Sequence, residues 1–219
     1  MRLMSPAPRP TLIARTWVRN RIHPGDTAID ATTGNGHDTQ ALAAAVGPAG
    51  RVIGLDVQEP AIAATRARLE AHGLAPQATL HCTSHIHIAS HARPSSVAAV
   101  MFNLGYLPGG DHALTTREED TIAALDAACP LLRPGGILSV VCYPGHEEGS
   151  GESAAVTRWF AALDPLKWRT IGYRLAGTRH DAPFLLAAIA KDTSSRASGT
   201  LPSGLASRPD VGYSPARHG

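Results

Sequence analysis

The chain has few cysteines, no long apolar run and no acidic residue before Asp26, and each shortage excludes something. Cys82, Cys129 and Cys142 form no Cys-x-x-Cys pair, and their odd number in 219 residues argues against a disulfide framework. A reducing compartment, the cytoplasm, fits that usage. Cys82 and Cys142 lie in strand-like apolar runs, which reads them as buried core thiols rather than nucleophiles or metal ligands. No apolar run reaches the roughly 18 residues that cross a bilayer, and the opening Met-Arg-Leu-Met-Ser-Pro lacks the apolar stretch of a signal peptide. A soluble, unexported protein with no membrane partner is expected. The missing acids leave Arg2, Arg9, Arg15, Arg19 and Arg21 uncompensated. They form either a phosphate-contacting edge or a solvated helix face. A net charge of +2 is too small to imply nucleic acid by itself.

With 43% hydrophobic and 17% charged residues, the chain has the composition of one ordinary globular domain. Strand-like runs recur at Thr27–Asp30, Arg51–Asp56, Ala78–Cys82, Val97–Phe102, Ile137–Cys142, Thr170–Arg174 and Leu185–Ala190. Helical stretches at His37–Val46, Glu59–Ala71, Arg117–Leu131 and Glu152–Leu163 separate most of them. This alternation predicts an α/β fold, a mostly parallel sheet with helices on both faces. Thr11–Ile22 reads as an extra helix, and Arg133-Pro134-Gly135-Gly136 as a turn between helix and strand. The expected organisation is an N-terminal segment and helix over 1–22, one domain over 23–191, and a tail over 192–219. The tail is too poor in apolar residues to offset ordering entropy, so it reads as disordered.

Asp30-Ala31-Thr32-Thr33-Gly34-Asn35-Gly36-His37-Asp38-Thr39 ends the first strand and opens a helix. Glycines there let backbone approach a ligand, and free N–H groups at a helix start hold an anionic or carboxylate group. As a dinucleotide fingerprint the stretch lacks its third glycine, since Thr39 stands there. As the Asp-x-Gly-x-Gly-x-Gly loop of class I methyltransferases it keeps Asp30, Gly34 and Gly36 but has Thr32 at the first glycine. Asp56, ending the second strand, suits the ribose hydroxyls of either cofactor. Gln58 follows it, positioned either for adenosine or as a polar residue at a helix start. Thr83-Ser84-His85-Ile86-His87 follows the third strand and belongs to the same carboxyl edge. His81, His85, His87 and His91 raise a metal site, but no carboxylate or thiolate set accompanies them at zinc spacing, so none is expected.

The stretch after the fourth strand carries the most information. Asn103-Leu104-Gly105-Tyr106 is similar to the Asn-Pro-Pro-Tyr loop of amino-directed methyltransferases, with Leu104 and Gly105 in place of the prolines. Such a loop aims an amide oxygen and a carbonyl at an amine while a ring covers the group being modified. Tyr106 would stack on a base or cover the methyl group. With Gly105 in place of proline, the amine-binding carbonyl must be fixed by packing and by Pro108.

Together, Asp30–Thr39, Asp56-Val57-Gln58, Ser84-His85, Phe102–Asp111 and Tyr143-Pro144-Gly145-His146 followed by Glu152 resemble the rRNA methylase family of class I S-adenosylmethionine-dependent methyltransferases. The resemblance spans about Thr11 to Lys191 and implies a Rossmann-like, seven-stranded, mostly parallel sheet. Characterised relatives methylate the amine of 5-aminomethyl-2-thiouridine at the tRNA wobble position. The resemblance implies S-adenosylmethionine as cofactor, held by Asp30, Thr32, Gly34, Asn35, Gly36, Asp38, Asp56, Gln58, Ser84 and His85. It implies Asn103 and Tyr106 as the catalytic pair, with Leu104, Gly105, Pro108 and His146 on the substrate. Glu152 belongs either to the substrate mouth or to a helix start. The expected partner is a tRNA anticodon loop, with Arg15 and Arg19 on its phosphates. The reading also allows a homodimer.

His85, His146 or solvent would take the amine's first proton, and the sequence does not choose among them. Other substrates for the same chemistry are rRNA or a small amine. Readings from other classes are an NAD-dependent oxidoreductase built on Gly34-Asn35-Gly36 and a noncatalytic nucleotide-binding module.

Overall fold

The computed structural model describes residues 7–105, 117–145, 147–176 and 182–193. Seven strands form one sheet: β1 (Thr27–Asp30), β2 (Arg51–Asp56), β3 (Ala78–Cys82), β4 (Val97–Asn103), β5 (Leu132–Cys142), β6 (Trp168–Tyr173) and β7 (Phe184–Ala190). Their order is β3-β2-β1-β4-β5-β7-β6. Only β7 runs antiparallel to its neighbours. The helices are α1 (Pro10–Arg19), α2 (His37–Val46), α3 (Glu59–Ala71), α4 (Glu118–Ala128) and α5 (Glu147–Ala162).

Central strands are buried on both faces, so their sequences read as continuous apolar runs; Val97 to Phe102 of β4 are all buried. Alternate residues feed two cores. Ile29, Val100, Phe102, Leu138 and Val140 pack with Ala124, Leu125, Val156 and Phe160 of α4 and α5. Ala28, Ala99, Met101 and Ile137 pack on the other face with Ala14, Val18, Leu42, Val46 and Leu69 of α1, α2 and α3. On α1 the apolar contacts recur every fourth residue, Ala14, Val18 and then Ile22 just beyond it, the spacing of one helical face.

The structure departs from the sequence reading in several places. Arg133–Gly136 lies inside β5 as an excursion, because the ladder steps from Val97 opposite Leu132 to Ala99 opposite Ile137. Gly135 sits at φ +77°, and Arg133 folds back onto the Arg21 carbonyl (3.0 Å) and Asp26 (2.9 Å). Helix α5 starts at Glu147, so Glu152 lies well inside it, 3% exposed. Cys142 is buried, but Cys82 is exposed, since β3 is an edge strand with no fully buried residue. The helix expected over Thr11–Ile22 runs from Pro10 to Arg19.

Topology fixes where a ligand binds. The chain moves outward from β1 through β2 to β3, then returns to place β4 beside β1. The connections after β1 and β4 therefore leave in opposite directions, opening a crevice at their carboxyl ends. Helix α1 spans the height of the sheet. Tyr173, at the carboxyl end of β6, donates to the Pro8 carbonyl (2.9 Å), while Arg133, near the start of β5, reaches Arg21.

Candidate active site

On the β1 side, backbone and side chains are bonded to one another. Asp30, 1% exposed, accepts from the Thr39 hydroxyl (2.6 Å) and from Thr32 N–H (3.2 Å). Thr39, the misfit in the dinucleotide fingerprint, therefore anchors the carboxylate that ends β1. Burial, reinforced by the negative charge of Asp38, raises the Asp30 pKa to about 7. Asp38 is also buried, and Arg15 of α1 donates to it through Nε. Asp56 receives Gly34 N–H (2.9 Å) and Gln58 N–H (3.0 Å), one on each oxygen, leaving a further lone pair on each for ribose hydroxyls. Thr65 of α3 donates to the Gly34 carbonyl (3.1 Å) and Arg68 to the Asn35 carbonyl (2.7 Å). Gly36 lies at φ +76°, and a Cβ there would come within 2.8 Å of Thr65 Cα. The loop must be glycine to sit this close to α3.

The β4 side is built differently. Asn103 N–H donates to Thr32 Oγ1 (2.7 Å), and its side-chain amide lies near the phenol of Tyr143, whose pKa it lowers slightly against the larger effect of burial. Its Oδ1 is buried with no partner among the described residues. Burial, together with the charge of Asp38, raises the Tyr143 pKa, so that phenol stays protonated. Leu104 is 3% exposed and donates its N–H to the Val141 carbonyl (3.0 Å), which fixes the start of the loop by packing. Gly105 sits at φ +120°, where proline cannot go.

His85 is buried edge-on against Phe102, with 5.9 Å between centroids, and its Nε2 has no partner among the described residues. Burial lowers its basicity, so the ring is neutral near pH 7. Ser84 caps the short 3-10 turn carrying His85, its Oγ accepting from Ile86 N–H (3.3 Å). The Thr33 hydroxyl is likewise buried and unpartnered among the described residues. Glu152 accepts from the Thr121 hydroxyl of α4 (2.6 Å).

Asp30, Thr32, Gly34, Asn35, Gly36, Asp38, Asp56, Gln58, Ser84, His85, Asn103, Leu104 and Gly105 lie at the carboxyl ends of β1, β2, β3 and β4 or in the segments that follow them. Tyr106, Pro108 and His146 lie outside the described residues. The sequence reading missed Thr33, Thr65, Arg68 and Tyr143, and it placed Arg15 on phosphate where the structure pairs it with Asp38. Among the described residues no three His, Cys, Asp or Glu side chains converge as a metal site.

These residues fit S-adenosylmethionine. The Asp56 lone pairs suit ribose, the backbone around Gly34 and Gly36 suits a close-lying chain, and the buried Thr33 Oγ1 and His85 Nε2 have no partner among the described residues. Fold and site define a class I S-adenosylmethionine-dependent methyltransferase.

The comparisons narrow the class. A family model described as "Putative rRNA methylase" matches residues 52–189. A chloroplastic tRNA (mnm5s2U34)-methyltransferase of Arabidopsis thaliana is 36% identical over 80% of this chain and 67% of its own length. A "putative rRNA-methylase" of Clostridium thermocellum is 36% identical, with a TM-score of 0.81 over 85% of this chain and 100% of its own. A "putative methyltransferase" of Streptococcus mutans, solved with SAH, is 28% identical with a TM-score of 0.75, covering 84% and 99%. The chain belongs to the rRNA methylase family.

Proposed function

We propose that this enzyme transfers a methyl group to the aminomethyl nitrogen of a modified wobble uridine in tRNA. The observation that carries the reading is the buried Asn103 Oδ1 at the carboxyl end of β4, which has no partner among the described residues and is held ready for an N–H donor. The tRNA (mnm5s2U34)-methyltransferase among its relatives supports the substrate class.

When bound, S-adenosylmethionine supplies a methyl group activated by its sulfonium. Asp56 and Gln58 hold the ribose and adenosine end, and the Asp30–Thr39 loop holds the rest. The substrate ammonium has to shed a proton before its nitrogen offers a lone pair. Asn103 Oδ1 and the Leu104 carbonyl accept the remaining N–H bonds and point that lone pair along the transfer axis. The neutral His85 imidazole, His146 or solvent accepts the released proton. Tyr106 covers the reacting group or stacks on the base. The exposed Arg9, at the carboxyl-edge end of α1, meets phosphate, whereas Arg19 sits at the far end of that helix.

Nucleoside mass spectrometry of undermethylated tRNA incubated with enzyme and cofactor tests the reading. The expected outcome is conversion of the aminomethyl nucleoside to its methylaminomethyl form. Methylation appearing instead in rRNA or in a metabolite pool would replace tRNA as the substrate, and absence of transfer to any amine would overturn the reading.

A further inference from the structure

We infer that Thr32 is a positioning residue for the substrate loop, its hydroxyl fixing the backbone of Asn103 and hence where the Asn103 amide points, rather than a contact to the cofactor. The inference rests on the reading of Asn103 as the amine-orienting residue. Thr32 stands where the class I loop Asp30-x-Thr32-x-Gly34-x-Gly36 ordinarily has its first glycine, and a glycine has no side chain to bond with. Here the side chain is used. Thr32 N–H is committed to Asp30 Oδ1 (3.2 Å), and Thr32 Oγ1 accepts Asn103 N–H at 2.7 Å.

The ladder explains why this bond is needed. The paired residues of β1 and β4 end at Asp30 and Met101, with Ala31 N–H still donating to the Met101 carbonyl. β4 continues to Asn103, past the end of its neighbour on that side. A half-buried N–H without an acceptor is costly, and the Thr32 hydroxyl supplies one where strand backbone has run out.

Among the described residues, two backbone N–H bonds hold the start of the loop. The Val141 carbonyl takes Leu104 N–H, and the Thr32 hydroxyl takes Asn103 N–H. Among the described residues, the second joins the substrate loop to the cofactor loop. Through Asp30 it runs on to Thr39 at the start of α2, so the bond ties the residues that would hold the methyl donor to those that would orient the amine. Loosening it disturbs the reacting geometry and leaves the cofactor contacts in place.

The test compares Thr32→Val, which keeps the branched shape without the acceptor, with Thr32→Ser, which restores it. Three quantities are read: SAH affinity by calorimetry, kcat and KM for methyl transfer to tRNA, and hydrogen exchange of the Asn103 amide by NMR. For Thr32→Val the expectation is SAH affinity within about two-fold of wild type, kcat lowered about 10-fold or more, and faster exchange at Asn103. Thr32→Ser should restore all three. Wild-type kcat with a protected Asn103 amide in Thr32→Val would overturn the inference, as would SAH affinity falling in parallel with turnover. If Thr32→Val loses its thermal transition, Thr32→Ala and Thr32→Ser decide by the same criteria. Should wild type prove inactive on tRNA, the substrate reading fails, while Asn103 amide exchange still supports or overturns the Thr32 bond.

Discussion

The two halves of the crevice are finished to different degrees. Around Asp30 and Asp56 the carboxylates and loop carbonyls already hold protein donors: Thr39, Thr32, Gly34, Gln58, Thr65 and Arg68. Asn103 Oδ1 on β4 is buried without a partner among the described residues, as are Thr33 Oγ1 and His85 Nε2 on the cofactor side. A buried polar atom left unpaired costs about 1–3 kcal/mol, so such atoms persist where a ligand completes them. The cofactor half is therefore a largely preformed cradle with Thr33 and His85 left for the ligand to complete, and the substrate half is held in shape by its backbone while Asn103 Oδ1 stays open.

Breaking the cradle should have the largest effect. Gly36→Val places a Cβ against Thr65 Cα at a positive φ. A destabilisation of about 3 kcal/mol is expected, with loss of SAH binding, read by thermal melting and calorimetry. A variant that melts and binds like wild type would remove the tight approach of the loop to α3.

The protonation of Asp30 separates the halves next. Its folded pKa, about 7, lies above the ordinary carboxylate value of 3.8. The folded state then holds more protons than the unfolded chain between those two values, so the stability contribution is fully present below about pH 4 and is lost as pH rises through 7. Asp30→Asn should flatten the decline in urea-melt stability between pH 5 and 8, a change on the order of 1–2 kcal/mol. An unaltered pH slope would place the charge elsewhere.

Arg15→Met should cost about 1 kcal/mol in the same melts, a moderate figure because the Arg15 side chain is one-third exposed. The smallest effect is expected at the rim. Arg9→Ala should lower the salt slope of tRNA binding by about 0.7 to 0.9, whereas Arg19→Ala leaves it unchanged; equal slopes for both variants would move the RNA off the carboxyl edge.

The cofactor half was the more legible in sequence. Asp30, Gly34, Gly36 and Asp56 announce themselves because a tight loop after one strand and an acid after the next are local, ordered features. The bonds that complete the half, from Thr65, Arg68 and Arg15, join positions 23 to 33 residues apart and leave no local signature. The same holds for Thr32 and Asn103, separated by 71 residues: the sequence reading treated Thr32 as a departure from a motif because its partner is on another strand. Arg133–Gly136 has the composition of a turn, and only the pairing of β4 with β5 shows the excursion within a strand. Cys82 looked buried because an apolar run does not reveal that its strand is an edge.

The division between cradle and open acceptor is tested most directly at Asn103. In Asn103→Ala, SAH affinity by calorimetry should stay within about two-fold of wild type while kcat for methyl transfer falls about 100-fold. Wild-type turnover, or a loss of SAH affinity as large as the loss of kcat, would contradict it.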